Sequence, residues 1–401
     1  FYPNVGEYMN KDEIRWILLV ATAVFFLSCI PYLLGGQLEN HQWIFSGFYF
    51  GVEDGNSYIA KMLNGYYGEW LFKTPYSVFP QDGFLAFLPY IMLGKLATAP
   101  GLHEQLLVLF LGFRCLGSIL MFAGTYVFFS QFFDDIPFRR VSTVIAVLGG
   151  GMGWLFFIGL NGLWADRIPL EFYSPETFGF LSFFALPHLA TAKGLLLLSL
   201  AIFLRQSINP VGRLSIFGGI LLLMMGFFQP LLVVVAYVLM TSHLAVRGYS
   251  CFVERNRLCL CSLLRDNLGF YLIPLPFVLY NLLSFKFDGF LSGWEARNVI
   301  QSPPISDYIL SYGVFLLMAI TSVAKILIEK QKRFHSLLVW FVIFPILIFL
   351  PINLQRRMAE GFWVIIVALA VAWVVSLQKW KTILSISFAI SIISPIIFFI
   401  G

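Results

Sequence analysis

Two adjacent carboxylates, Glu53 and Asp54, sit in the polar stretch "GVEDGNSYIAKMLNGYYGEW" (residues 51–70), just after the first long apolar run. Side-by-side acids repel unless a cation or a proton lies between them. One chemistry fits the pair: a carboxylate takes a proton from a reacting hydroxyl while its neighbour tunes or orients it. The plainer reading makes Asp54 a helix N-cap that accepts backbone N–H bonds, which leaves Glu53 unexplained. The two acids are also hard oxygen ligands, so a shared divalent ion such as Mg or Mn stays open, although no second acidic residue is fixed beside them by the sequence. A second constellation lies in "PINLQRRMAEGFW" (351–363), where Arg356 and Arg357 are adjacent. Guanidinium groups are planar, always charged and suited to bidentate phosphate contact. The plainer reading has them touching lipid headgroups at a helix end.

These groups need a frame, and composition supplies it. The chain is 59% hydrophobic and only 12% charged, about half the charge of an ordinary soluble domain. Apolar stretches long enough to cross a hydrocarbon core of about 30 Å recur along the sequence. The expected fold class is all-α, a polytopic transmembrane helix bundle forming a single domain over residues 1–401, with no soluble domain. Candidate spans are 14–34, 104–133, 140–160, 178–205, 213–228, 230–247, 268–285, 305–328, 335–352, 358–377 and 382–400, about eleven crossings. The first run lacks a small-residue cleavage site and is expected to be retained as a span. The short pair at 213–228 and 230–247 is split by "FFQPLL". The segment 83–97, short and interrupted by Pro89, is expected to be interfacial. The glycines of "AVLGGGMGWLF" (146–156) read as close helix packing inside a span.

Basic residues orient this frame through the positive-inside rule. With the N-terminus cytoplasmic, Lys11, Arg15, Arg139, Arg140, Arg205, Arg213, Arg247, Arg255, Arg257, Arg265, Lys325, Lys330, Lys332, Arg333, Lys379 and Lys381 fall on the cytoplasmic side, 16 of the 26 Lys and Arg. Three non-cytoplasmic loops are then long: 35–103, 161–177 and 286–304. Cys251, Cys259 and Cys261 cluster in a basic loop, which favours reduced thiols. The net charge of +5 reflects these loops and gives no reason to expect nucleic acid. In the first long loop, Ile59, Met62, Leu63 and Tyr66 share one face of an expected amphipathic helix, with Gly65 and Gly68 as stops. Asp166, Glu171 and Glu176 read as a solvated loop, with the lining of an acceptor cleft as the functional alternative.

One span, then a long outer loop opening on an acidic pair, a Tyr four residues later, a Gly-aromatic stretch and two interfacial helices: this plan resembles the GT-C glycosyltransferases. Glu53, Asp54, Tyr58, Gly65, Gly68 and Trp70 carry the likeness, with "FLPYIMLGKL" leading into "EQLLVLFLGFRCLGSILMFAG". It is most similar to the branch of protein O-mannosyltransferases and aminoarabinose transferases, and covers about residues 10–140. The resemblance implies a membrane-embedded, inverting enzyme of the plasma membrane whose site faces outward. Its donor would be a sugar on a polyprenyl-phosphate carrier and its acceptor a hydroxyl, with membrane lipid as its surroundings. By motif position the general base would be Asp54, with Glu53 the less favoured candidate. Tyr58, and Arg356 or Arg357 against the carrier phosphate, would serve binding. Ionisable groups inside spans face a cavity or a partner, so His188 and Lys193 in "FFALPHLATAKGLL" join the candidates. The plainer readings are a packing histidine at a Pro kink and an interhelical ion pair. Trp294 is a candidate for stacking on the sugar. Two other classes stand beside this reading: a transporter or flippase for a lipid-linked glycan or other amphiphile, and a structural subunit in which the outer acids are dispensable.

Overall fold

In lipid, a backbone polar group has no water to bond, so apolar segments satisfy it internally as helices. The computed structural model describes residues 9–208 and 210–400, which hold sixteen α-helices and no β-strand. α1 (Lys11–Gln37) is closed at its start by a capping box between Asn10 and Glu13. α2 (Val52–Tyr66) and α3 (Leu88–Gly94) occupy the first long loop. α4 (Leu102–Phe129) and α5 (Ile136–Leu148) follow, then 3₁₀ turns over Gly153–Ile158, Asn161–Trp164 and Leu170–Phe172. Next come α6 (Phe180–Ala185), α7 (Pro187–Ile208), α8 (Gly212–Phe228), α9 (Pro230–Val253), α10 (Arg257–Leu272), α11 (Leu275–Phe287) and α12 (Gly289–Arg297). α13 (Ile305–Glu329), α14 (His335–Ile348), a 3₁₀ turn at Gln355–Ala359, α15 (Phe362–Val375) and α16 (Trp380–Ile400) complete the chain.

Seven of these segments are long and apolar enough to cross a membrane, and eight if α10 and α11, bent by 53°, form one broken span. The fold is a multi-pass helical bundle. The segments expected at 140–160, 213–228 and 335–352 are helical, but as α5, α8 and α14 they have 13, 17 and 14 residues, below the about 20 a straight crossing takes. The shortfall of α5 has a local cause. Its helix stops at Leu148, and Gly149–Gly151 run on as non-helical chain. A Cβ on Gly151 would lie 1.7 Å from the Ser311 carbonyl oxygen. These glycines therefore pack tightly, as expected, but outside a helix.

Lipid tails are as apolar as Leu, so helices associate through close packing rather than water exclusion. α4 and α7 meet in this way at Gly124 and Gly194, each of whose absent Cβ would fall within 2.5 Å of the other helix's backbone. α7 and α15 form the axis, with 83% and 78% of their apolar windows buried, against 22% for α16 and 28% for α1. Arg114, a possible snorkelling residue by position, is instead fully buried: it donates to the Phe184 carbonyl at 2.9 Å and lies over the Tyr32 ring.

Loop contacts fall into two sets. At one end Arg333 pairs with Asp134 (2.6 Å), Arg139 with Glu13 (3.1 Å), and Gln206 donates to the Asp266 carbonyl. At the other, Arg167 forms a fork with Asp307, Leu85 bonds Tyr280, and Ile300 bonds Asn353. The loops of the first set carry most of the basic residues. In the first set Cys251 and Cys259 are joined as a disulfide, contrary to the expectation of reduced thiols. The turn between α9 and α10 brings their Cα atoms to 5.8 Å, within bridging range. Cys261 is free and exposed.

Candidate functional site

α2 starts one turn earlier than an Asp54 cap requires. Gly51, at φ +60°, is the N-cap, and no side chain caps the helix. Glu53 and Asp54 are both exposed residues of the first turn. There they complement the helix dipole but make no capping hydrogen bond, so the N-cap reading of Asp54 is corrected. Gly65 is likewise not a stop. It lies inside α2, where a Cβ would sit 1.8 Å from the Ile91 carbonyl oxygen, while one on Gly94 would sit 1.7 Å from that of Met62. These two glycines let α2 and α3 touch backbone to backbone. α3 is shorter than the expected 83–97 because Pro89 falls in its first turn and starts it. Residues 84 and 72 pair as an isolated bridge instead.

Asp54, Tyr58 and Lys61 recur at helical spacing on α2. The Tyr58 ring stacks on Tyr90 (4.7 Å between centroids, 5° apart) and lies 5.1 Å from the His188 ring. The Tyr90 hydroxyl and His188 Nδ1 are 2.8 Å apart. His188 is placed by Pro187, which opens α7 after the break at Leu186. It is thus in the first turn of its helix rather than a third of the way down, and only partly buried. Lys61 is 8% exposed. Its ammonium lies over the Phe87 ring (4.1 Å) and the Tyr58 ring (4.6 Å) and donates to Ser57 Oγ at 2.8 Å. Burial pulls the Lys61 ammonium down from its ordinary value to about 8, against the opposing pull of the Asp54 charge. Burial pushes the Tyr58 hydroxyl well up; the Asp54 charge pushes the same way and the Arg357 charge opposes both. Asp54 and Arg357 therefore act on the same hydroxyl.

Arg356 and Arg357 are held by the 3₁₀ turn at Gln355–Ala359, whose backbone meets Ile300 (Arg356 N to Ile300 O, 3.3 Å). Neither guanidinium is bare. Arg356 Nε lies 3.7 Å from Glu176 Oε2, and Arg357 Nε lies 3.7 Å from Glu176 Oε1. Arg356 also lies over the Tyr173 ring at 5.0 Å. Glu176 is buried, as is Glu171, so the solvated reading of this loop holds only for Asp166, which is exposed and bonds Asn161. The loop folds inward because Lys193 draws it in. The Lys193 ammonium donates to the carbonyls of Pro175 (2.5 Å) and Phe178 (2.8 Å) and to Ser182 Oγ (3.0 Å). Its counter-ion is Glu360 on the turn before α15, at 3.7 Å, with both carboxylate oxygens buried and without a hydrogen bond. The ion-pair reading of Lys193 thus describes its contacts. Glu171 accepts from Gly153 N (2.8 Å) and Ser394 Oγ (2.5 Å), and burial raises its carboxyl to about 8.

The structure brings Tyr58, Tyr90, His188 and Lys61 into contact, with Asp54 one turn before Tyr58 on α2, and sets Arg356 and Arg357 around Glu176. Trp294 stands apart, packed between Phe72 and Phe87 at 6.3 and 6.4 Å between centroids. There it props the first loop. Among the described residues no three His, Cys, Asp or Glu side chains form a metal-ligand group, so Glu53 and Asp54 have no third such ligand. Lys61, Tyr90, Glu176 and Glu360 were not among the expected site residues. The seven-residue step from Asp54 to Lys61 was a readable signal. So was Glu360, an acid inside the segment expected to span at 358–377. Glu176 carried no such mark. Chemically, the parts are an exposed acidic pair, a buried lysine on the same helix, and an adjacent arginine pair on the turn before α15, groups suited to an acid or base step and to holding an anion. No family model matches the chain, and no curated protein matches it either.

Proposed function

We propose that the chain is a GT-C-type glycosyltransferase that moves a sugar from a polyprenyl-phosphate carrier to a hydroxyl acceptor. The observation that carries this reading is an exposed acidic pair, Glu53 and Asp54, in the first turn of the first-loop helix, together with two adjacent arginines, Arg356 and Arg357, held on one turn with their guanidiniums side by side around Glu176. In the reaction, Asp54 takes the proton of the acceptor hydroxyl. The acceptor oxygen attacks the anomeric carbon, the bond from that carbon to the carrier phosphate oxygen breaks, and configuration inverts. The leaving polyprenyl phosphate gains charge as the bond breaks. Fixed cations in a poorly hydrated cleft stabilise such charge without reorganising, and Lys61, Arg356 and Arg357 are the candidates. Glu53 beside Asp54 orients or tunes it.

The eleven-crossing topology belongs to the same proposal, with α5, α8 and α14 as short crossings completed by their flanking turns. The loops that carry the basic residues face the cytoplasm, and Asp54 faces outward from the plasma membrane. One observation favours a second reading. The 53° break between α10 and α11 is the kind of interruption seen in transporters, so a flippase of a lipid-linked glycan is the alternative.

Reconstitution in nanodiscs with a set of polyprenyl-phosphate monosaccharides, scored by release of polyprenyl phosphate, separates the two. Supplied with hydroxyl acceptors, an enzyme transfers the sugar and frees the carrier phosphate, whereas a flippase leaves the sugar–phosphate bond intact. The double variant Arg356→Ala/Arg357→Ala should lose donor binding. If it binds and turns over donor like the parent, the clamp is wrong and the pair only anchors a helix end.

A further inference from the structure

We infer that Glu176 is a displaceable internal anion: it occupies the seat between Arg356 and Arg357 that a phosphate monoester takes when it binds. The inference rests on the phosphate reading above and adds a control to that site. Each Glu176 oxygen faces a different arginine, at 3.7 Å in both cases, so the carboxylate bridges the pair as a phosphate would. That distance is too long for a hydrogen bond. Both Nε atoms are indeed buried without an acceptor. A bridging anion that leaves its donors unsatisfied gives way to one that reaches them. Two guanidiniums and one carboxylate also leave a net charge of +1, so the seat still attracts a further anion.

Access and freedom of movement agree with this. The arginine side chains are 21% and 31% exposed, against 6% for Glu176, so a ligand meets the guanidiniums first. The backbone around Glu176 is pinned on both sides, because Lys193 holds the carbonyls of Pro175 and Phe178. Release is therefore a rotation of one side chain, loosely tethered by the Ser174 hydroxyl at 3.3 Å. The rotation keeps it within the field of Lys193, on which its charge already acts. The consequence is selection by charge. A sugar phosphodiester brings one negative charge and contests the seat weakly. The monoester formed as the glycosidic bond breaks carries close to two and displaces Glu176 more fully. Interactions that strengthen as the bond breaks lower the barrier, and the returning carboxylate then helps to expel the product.

The test measures equilibrium binding of polyprenyl monophosphate in nanodiscs, with inorganic phosphate as the lipid-free competitor. It compares the parent, Glu176→Gln and the double arginine-to-alanine variant. Glu176→Gln should bind polyprenyl phosphate about tenfold tighter, a change of about 1.4 kcal/mol, release product more slowly, and make inorganic phosphate a stronger competitor. Glu176→Asp keeps the charge but draws it back from the guanidiniums. It should tighten binding about threefold, which keeps the test usable if the Gln variant fails to fold. Unchanged or weaker binding in both Glu176 variants, with binding lost in the arginine variant, overturns the displaceable anion and leaves the phosphate clamp standing. Equal binding in all variants overturns both. Tightening for inorganic phosphate but not for the lipid keeps Glu176 displaceable and removes the polyprenyl carrier from the proposed function.

Discussion

Asp54→Asn separates a base from a structural acid, and the structure sets the size of each effect. Asp54 lies in the first turn of α2, exposed and making no capping bond. What Asn removes from stability is a charge beside the helix N-terminus, worth about 0.3–1 kcal/mol and toward the lower end for an exposed group. If Asp54 is the base, turnover should fall at least about a hundredfold, or about 2.7 kcal/mol in barrier height. The kinetic effect then exceeds the stability effect by more than twofold, and the two are measured independently. Turnover is read as release of polyprenyl phosphate in nanodiscs at saturating donor, and stability as the thermal midpoint in detergent. A third readout is local: without the Asp54 charge, Lys61 should titrate below its present value of about 8. Glu53→Gln serves as comparator and should cost less turnover. A folded Asp54→Asn variant that turns over within about threefold of the parent would refute the base and leave the acid a dipole partner of α2.

Four further outcomes follow from the same structure. Donor affinity should fall as pH rises through about 8, where the Lys61 ammonium deprotonates, and Lys61→Arg should flatten that profile. The folded value of Lys61 is depressed, so the unfolded chain binds more protons from about pH 8 to its ordinary value; thermal stability should rise with pH across that window in the parent and not in Lys61→Met. Lys193→Met removes the donor to the Pro175 and Phe178 carbonyls and the counter-ion of Glu360 and should cost about 3–5 kcal/mol of stability, part of which Glu360→Gln should restore in the double variant. An impermeant maleimide should label the exposed, free Cys261 only after cells are permeabilised; labelling of intact cells would reverse the proposed orientation.

Local chemistry was the legible part of the fold. Pro230 in "FFQPLL" separates α8 from α9 as read, because a proline acts on its own turn and the preceding residue, whatever surrounds it. The end of α5 was not legible from hydropathy. "AVLGGGMGWLFFIGL" is apolar throughout, and apolar character does not distinguish a helix from apolar turns packed between helices. The glycines did carry that information. Only the approach of Ser311, from a helix 160 residues away, shows that they break the helix rather than pack within it. Pro89 misled for a related reason, since proline interrupts a helix interior but starts a helix from its first turn. In the candidate site, Asp54 stood out as one of two adjacent acids, Tyr58 by its helical spacing from Asp54, Arg357 by its pairing with Arg356, and His188 as an ionisable residue in an apolar run. Glu176 was not. A glutamate in a Pro- and Ser-containing loop reads as solvated, and its burial depends on hydrogen bonds from Lys193 that no local pattern encodes.

The distribution of charge between the two ends of the bundle bears on what the buried groups do. At the end bearing most of the basic residues, Arg139–Glu13 is largely buried, while Arg333–Asp134 and Arg265–Asp266 keep one partner well exposed. Such exposed pairs contribute little to stability and cost little to form. At the other end Glu171, Glu176, Lys193 and Glu360 are all at most 5% exposed, and several of their polar atoms lack a hydrogen bond, including one oxygen of Glu171 and both of Glu360. Replacing buried ion pairs with apolar residues of similar size is often neutral or stabilising, and a lone polar group buried in an apolar setting is a net cost. Stability therefore does not account for four ionisable residues gathered behind one mouth of a chain that is 12% charged. The proposed phosphate ligand would account for them. Arg356 and Arg357 must keep donors available to it while remaining fixed in its absence. A nearby carboxylate at 3.7 Å offsets one of their two charges without engaging those donors, and Lys193, balanced by Glu360, holds the backbone that carries that carboxylate.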